Sequence, residues 1–122
     1  MLKSQSILIV DDEAGLLALL KHALEERGFE VFTANNAIDA GIEISGRLPA
    51  LILMDIRMPG ISGFQACEAL KNNPRTKDTP IIIISALSDE AGIDKAKKMG
   101  VADYFTKPLD IEKLINRIQE II

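Results

Sequence analysis

The sequence predicts an α/β domain built on a parallel sheet with helices on both faces. Two observations predict it. Short, continuous apolar runs rich in branched side chains alternate five times with longer stretches of helical character, and strands covered on both faces read as such runs rather than as alternating patterns. No repeat, low-complexity tract or linker interrupts the series. Parallel neighbours require a right-handed crossover with a covering helix each time.

The elements follow in chain order. "SILIV" (6–10), "ALILM" (50–54) and "PIIIIS" (80–85) are the most apolar runs and belong at the sheet centre. "FEVFTA" (29–34) and "ADYFT" (102–106) are more mixed and suit the two edges. The first helix is announced by Leu16, Leu17, Leu19, Leu20, Ala23 and Leu24 at spacings of three and four, with Gly28 as its stop. Residues 36–46 form the second. Ser62 followed three residues later by Gln65 is a capping box that starts the third. Residues 89–98, with Gly92 inside, form the fourth, and Ile111, Leu114, Ile115, Ile118 and Ile121 mark the fifth. The stretch "NNPRTKDTP" (72–80) has turn chemistry throughout and is a surface loop.

Composition limits the function classes. A chain of 122 residues is the size of one domain, and apolar and charged shares of 48% and 26% are those of a globular protein, not a disordered one. Its longest apolar runs fall far short of the roughly 20 residues of a membrane helix. The start "MLKSQS" has no apolar signal region and Cys67 is the only cysteine, so a cytoplasmic location is expected. A net charge of −4 with scattered basic residues argues against nucleic acid as direct partner.

In such a sheet, ligands bind beyond the carboxyl ends of the strands. There the chain carries Asp11 and Asp12, Asp55, Ser85, and then Lys107 with Pro108. Each has an ordinary use taken alone: Asp12 as N-cap of a helix beginning near Ala14, Asp55 as a strand terminus, Ser85 as a loop hydroxyl, Lys107 as a solvated lysine. Their conjunction on separate strand ends points to shared chemistry. Two carboxylates about 4 Å apart at an effective dielectric near 20 repel by about 4 kcal/mol, so three demand a cation. One lysine does not neutralise three. A hard divalent ion such as Mg²⁺ does, and it accepts phosphate oxygens as well. Metal, hydroxyl and lysine suit phosphoryl transfer, for which Asp55 is the candidate nucleophile.

The acidic pair after the first strand, "DIRMPGISG" (55–63), Ser85 and "KP" (107–108) together resemble the receiver domain of two-component response regulators over the whole chain, 1–122. The resemblance implies a flavodoxin-like (βα)5 three-layer sandwich with strand order 2-1-3-4-5. It implies Mg²⁺-dependent transfer of phosphoryl onto Asp55 from a sensor histidine kinase or histidine phosphotransfer protein. It also implies that Asp12 ligates the metal directly, Asp11 largely through a water, and the Arg57 backbone carbonyl completes the set. Ser85 and Lys107 would bond phosphoryl oxygens, Tyr104 would turn inward as a switch, and the fourth helix, fifth strand and fifth helix would form the output face. Arg57 and Leu87, two positions beyond the acceptor and the hydroxyl, would flank the path of hydrolytic water and slow self-dephosphorylation. The family's Lys107–Pro108 bond is cis, whereas the sequence alone favours trans.

Other residues have plainer expectations. His22 lies among Lys21, Glu25 and Glu26 and reads as solvated; Cys67 reads as a small core or boundary residue; Lys95, Lys97 and Lys98 read as a wet helix face or part of a partner surface. A flavin carrier is disfavoured by the two carboxylates after the first strand, and a dehalogenase-like phosphatase by Arg57 where a second aspartate is required. No GxxxxGK[ST] loop is present, so phosphoryl must come from a donor. The remaining rival is a receiver-like interaction module that no longer transfers phosphoryl. Both a stand-alone receiver and one belonging to a longer regulator agree with the sequence.

Overall fold

A computed structural model describes residues 5–57, 62–86 and 90–122. Five strands alternate with five helices: β1 (Ser6–Val10), α1 (Ala14–Glu26), β2 (Glu30–Ala34), α2 (Ala37–Gly46), β3 (Leu51–Asp55), α3 (Gly63–Asn72), β4 (Ile81–Ser85), α4 (Glu90–Lys98), β5 (Asp103–Thr106) and α5 (Ile111–Ile121). All strand pairs are parallel and the sheet order is β2-β1-β3-β4-β5, a flavodoxin-like arrangement with β2 and β5 at the edges as expected.

The side-chain alternation of a strand divides the core in two. Leu8, Val10, Ile52, Met54, Ile81 and Ile83 point to one face, where Ala40 and Ile44 of α2, Cys67 of α3 and Ala96 of α4 cover them. Ile7, Ile9, Leu51, Leu53, Ile82 and Ile84 point to the other, under Leu20 and Leu24 of α1 and Leu114, Ile115 and Ile118 of α5. Each fully buried Leu or Ile contributes roughly 1.5–3 kcal/mol, so the three central strands supply most of the cohesion. Two helices on one face and three on the other follow from right-handed crossovers that reverse direction between β1 and β3. The carboxyl ends of those two strands flank that reversal.

Local signals behave as their chemistry requires, with three differences. The Ser62–Gln65 capping box forms in both directions, and Asn36 caps α2 by accepting from the Asp39 amide. Gly28 (φ 90°) closes α1 and Gly100 (φ 85°) follows α4, both in the left-handed region that glycine tolerates. Asp12, however, is not the N-cap of α1; Glu13 takes that position, with no side-chain cap bond. The strands after α2 and α3 start one residue later than their apolar runs, and β3 ends on Asp55 itself. The Lys107–Pro108 bond is cis, against the trans reading of the bare sequence. Among the described residues no helix is long and apolar enough to cross a membrane.

Candidate functional site

Backbone ladders carry the site residues to one rim. Asp55 and Ser85 are the last residues of β3 and β4, and Asp11 and Lys107 immediately follow β1 and β5. The sheet hydrogen bonding runs past the strand ends: the Asp11 amide donates to the Ala34 carbonyl at 3.1 Å, and the Lys107 amide donates to the Ser85 carbonyl at 2.7 Å. Each group is therefore held by its neighbour's backbone.

The loop after β3 is fixed by a close approach. A Cβ on Gly63 would lie 2.3 Å from the Ile56 α-carbon and 2.4 Å from the Asp55 carbonyl oxygen, and the Gly63 amide donates to the Ile56 carbonyl at 3.2 Å. Only glycine lets the start of α3 rest on the backbone that carries Asp55.

Asp11 and Asp55 fold back in the same way. Asp11 Oδ1 accepts from the Glu13 amide at 2.8 Å, and Asp55 Oδ1 accepts from the Arg57 amide at 2.9 Å. This Asx geometry satisfies one oxygen of each and leaves Oδ2 for the site. Lys107 Nζ lies 2.9 Å from Asp11 Oδ2, 3.0 Å from Glu13 Oε1 and 3.3 Å from Asp55 Oδ2. The Glu13 and Asp55 contacts are hydrogen bonds. The Asp11 contact is an ion pair only, because buried Asp11 Oδ2 receives no properly directed donor.

Burial of Asp55 raises its carboxyl pKa above the ordinary 3.8, and the Asp11 charge adds to this; the Arg57 amide and Lys107 oppose it without cancelling it. Burial alone would lower the Lys107 pKa. The surrounding carboxylates of Asp11, Glu13 and Asp55 outweigh it, so the group is held as ammonium with a raised pKa.

Carboxylate oxygens of Asp11, Asp12 and Asp55 lie within 4.8 Å of one another, Asp12 being the exposed member. An all-oxygen set suits a hard cation such as Mg²⁺. Of the Asp11 oxygens, Oδ2 is the one that faces the Lys107 ammonium, at 2.9 Å, and it has no other donor.

Among the other expected positions, Ser85 is buried and Tyr104 is half-buried against the core cluster containing Leu8 and Ile83. Arg57 is exposed at the rim, and Leu87 lies outside the described residues. His22 is exposed and pairs with Glu26 at 3.0 Å. Cys67 is buried, its thiol pushed up to about 12 mainly by desolvation. Lys95, Lys97 and Lys98 are exposed, and Lys95 sits over the Phe64 ring at 4.5 Å. Sequence reasoning missed Glu13 and Gly63. The third acid in "DDE" and a glycine directly after a capping serine were the available signals.

The chain matches the family described as response regulator receiver domain over residues 7–119. It is 37% identical over 118 residues to the phosphate regulon transcriptional regulatory protein PhoB of Pseudomonas aeruginosa, covering 97% of this chain and 52% of that protein. This chain thus spans about half the length of that curated relative. It is also 37% identical over 116 residues to protein PilH of Pseudomonas aeruginosa, covering 95% of this chain and 96% of PilH. The crystal structure of a putative response regulator from Chloroflexus aurantiacus superposes with a TM-score of 0.91 at 31% identity, covering 98% of each chain. With fold, acidic pocket and family match in agreement, the chain belongs to the receiver domains of response regulators, the signalling domains of two-component systems.

Proposed function

We propose that the chain, as one receiver domain over 1–122, is a phosphoacceptor that takes a phosphoryl group onto Asp55 from the phosphohistidine of a sensor histidine kinase or histidine phosphotransfer protein in the cytoplasm. The observation that carries this reading is the setting of Asp55: a buried strand-end carboxylate, one oxygen bonded to the Arg57 amide, the other 3.3 Å from the Lys107 ammonium.

In the transfer, an Asp55 oxygen forms a bond to phosphorus as the donor's P–N bond breaks, and that electron pair stays on the imidazole nitrogen. Burial makes the carboxylate more basic than in water, which favours its attack. Asp11, Asp12, Asp55 and the Arg57 backbone carbonyl would hold Mg²⁺, which when bound supplies positive charge for the phosphoryl oxygens. Lys107 follows a phosphoryl oxygen from its position beside Asp55, and the Ser85 hydroxyl takes another. Motion of Ser85 draws Tyr104 inward and alters the face made by α4, β5 and α5, which meets a downstream partner or output domain. By the family resemblance Arg57 would flank the in-line path of water and prolong the phosphorylated state.

Acetyl phosphate with Mg²⁺ should place one acid-stable, base-labile phosphoryl group on Asp55, and Asp55→Asn should abolish it. Label on His22 or Ser85 would refute the assignment, and absence of label from every donor would favour the interaction module.

A further inference from the structure

We propose that Glu13 is a positioning residue that competes with Asp55 for the Lys107 ammonium and so balances the site between binding a cation and binding an anion. The inference rests on the receiver reading above and names a group outside its acceptor and metal residues.

Glu13 is the N-cap of α1, with extended backbone (φ −86°, ψ 104°). An N-cap side chain ordinarily accepts from an amide two or three residues on. That of Glu13 makes no such bond. Its carboxylate instead reaches Lys107, 94 positions away in sequence, at 3.0 Å. Its own amide is anchored by Asp11 Oδ1 at 2.8 Å, so the side chain starts from a fixed point of the site.

The ammonium therefore has three carboxylate neighbours of two kinds. Asp11 and Asp55 are buried and belong to the group whose oxygens converge within 4.8 Å. Glu13 is 61% exposed and is not a member of that group. It is nevertheless nearer to Lys107 than Asp55 is, at 3.0 Å against 3.3 Å. A cation arriving among Asp11, Asp12 and Asp55 takes oxygens away from Lys107 and leaves Glu13 as its partner. An anion arriving on Asp55 must draw the ammonium away from Glu13, whose charge also repels it. Glu13 thus favours the first event and opposes the second.

The test is titration calorimetry of the wild type, Glu13→Gln and Glu13→Asp with Mg²⁺ alone, and with beryllofluoride, a tetrahedral stand-in for a carboxyl-bound phosphoryl group, at saturating Mg²⁺. Glu13→Gln should weaken Mg²⁺ binding and tighten beryllofluoride, each by about two- to fivefold, the range of a solvent-exposed ion pair. A purely structural role at the helix start would move both affinities in the same direction. Glu13→Asp keeps the charge on a side chain one methylene shorter, and should tighten beryllofluoride by less than Gln does, because contact with Lys107 is lost while the repelling charge stays. Unchanged affinities in Glu13→Gln, shifts of one sign, or a Glu13→Asp variant indistinguishable from wild type would overturn the proposal while the receiver reading stands. A wild type that binds neither probe would overturn both.

Discussion

Gly63 and Ile56 are in backbone contact so close that a Cβ on the glycine would sit 2.3 Å from the Ile56 α-carbon. Gly63→Ala must therefore push α3 away from the end of β3. Alanine gains up to about 1 kcal/mol of helix propensity, but overpacking against immovable backbone costs about 1–3 kcal/mol. The variant should lose about 1–2 kcal/mol net in urea unfolding. Gly41, inside α2, has nothing within 4 Å of an added Cβ, so Gly41→Ala should gain roughly 0.5–1 kcal/mol. Equal effects at the two positions would contradict the close approach.

Lys107 is the cation that Asp11 and Asp55 share. Lys107→Ala leaves two buried carboxylates facing each other, and breaking a buried pair costs about 3–5 kcal/mol. Without Mg²⁺ the variant should melt well below the wild type. Millimolar Mg²⁺ should recover more stability in the variant than in the wild type, since ligand binding adds RT ln(1 + [L]/Kd), about 2.7 kcal/mol at 100 times Kd. Thermal melts with Mg²⁺ and with chelator check this. A Mg²⁺ effect no larger in the variant would count against shared neutralisation.

Asp55 makes the opposite prediction for stability. Its folded pKa is raised above 3.8, so the stability linked to this group is fully present below pH 3.8 and is lost as pH rises through the folded value. At neutral pH the ionised group opposes folding. Asp55→Asn should therefore melt higher than the wild type in metal-free buffer at pH 7, and the gap should close on acidification below pH 3.8. A lower melting temperature for the variant at pH 7 would reverse the sign argued here.

Cys67 supplies a probe of global opening. Its thiol is buried and pushed from 9.0 up to about 12, so the thiolate is scarce at pH 8 and the sulfur is out of reach of reagents. Disulfide-exchange labelling in native buffer should proceed at the rate of unfolding and become fast in urea. The associated stability is complete below pH 9.0 and is lost as pH rises towards 12. Rapid labelling under native conditions would place the thiol at the surface.

The central strands were legible because β1, β3 and β4 are buried on both faces and carry no polar alternation to confuse them. Their limits were less so. Apolarity ends at Met54, but the ladder continues through Asp55, which pairs with Ile84, so the acceptor candidate belongs to the strand. Asp12 has the capping chemistry of an ordinary helix start, but Glu13 holds the N-cap position. The helix begins at Ala14 as expected, with the Glu13 amide held by Asp11 Oδ1 just before it. Asp11, Asp12 and Asp55 do converge, since strand ends in a parallel sheet must share a rim. Glu13 and Gly63 stayed hidden because their importance lies in a contact across 94 positions and in a missing side chain, neither of which has a periodicity.

The amide of Lys107 is bonded to the carbonyl of Ser85 at 2.7 Å, and Ser85 is in register with Thr106. The backbones that carry these two residues are thus joined by one hydrogen bond between the end of the fourth strand and the residue after the edge strand. Arg117 in turn ties that edge to the last helix through Asp103 at 2.7 Å. Through this chain of contacts the sheet end and the last helix are in mechanical reach of each other, and spectroscopic reporters on Ser85's strand and on the last helix should respond together as the site fills.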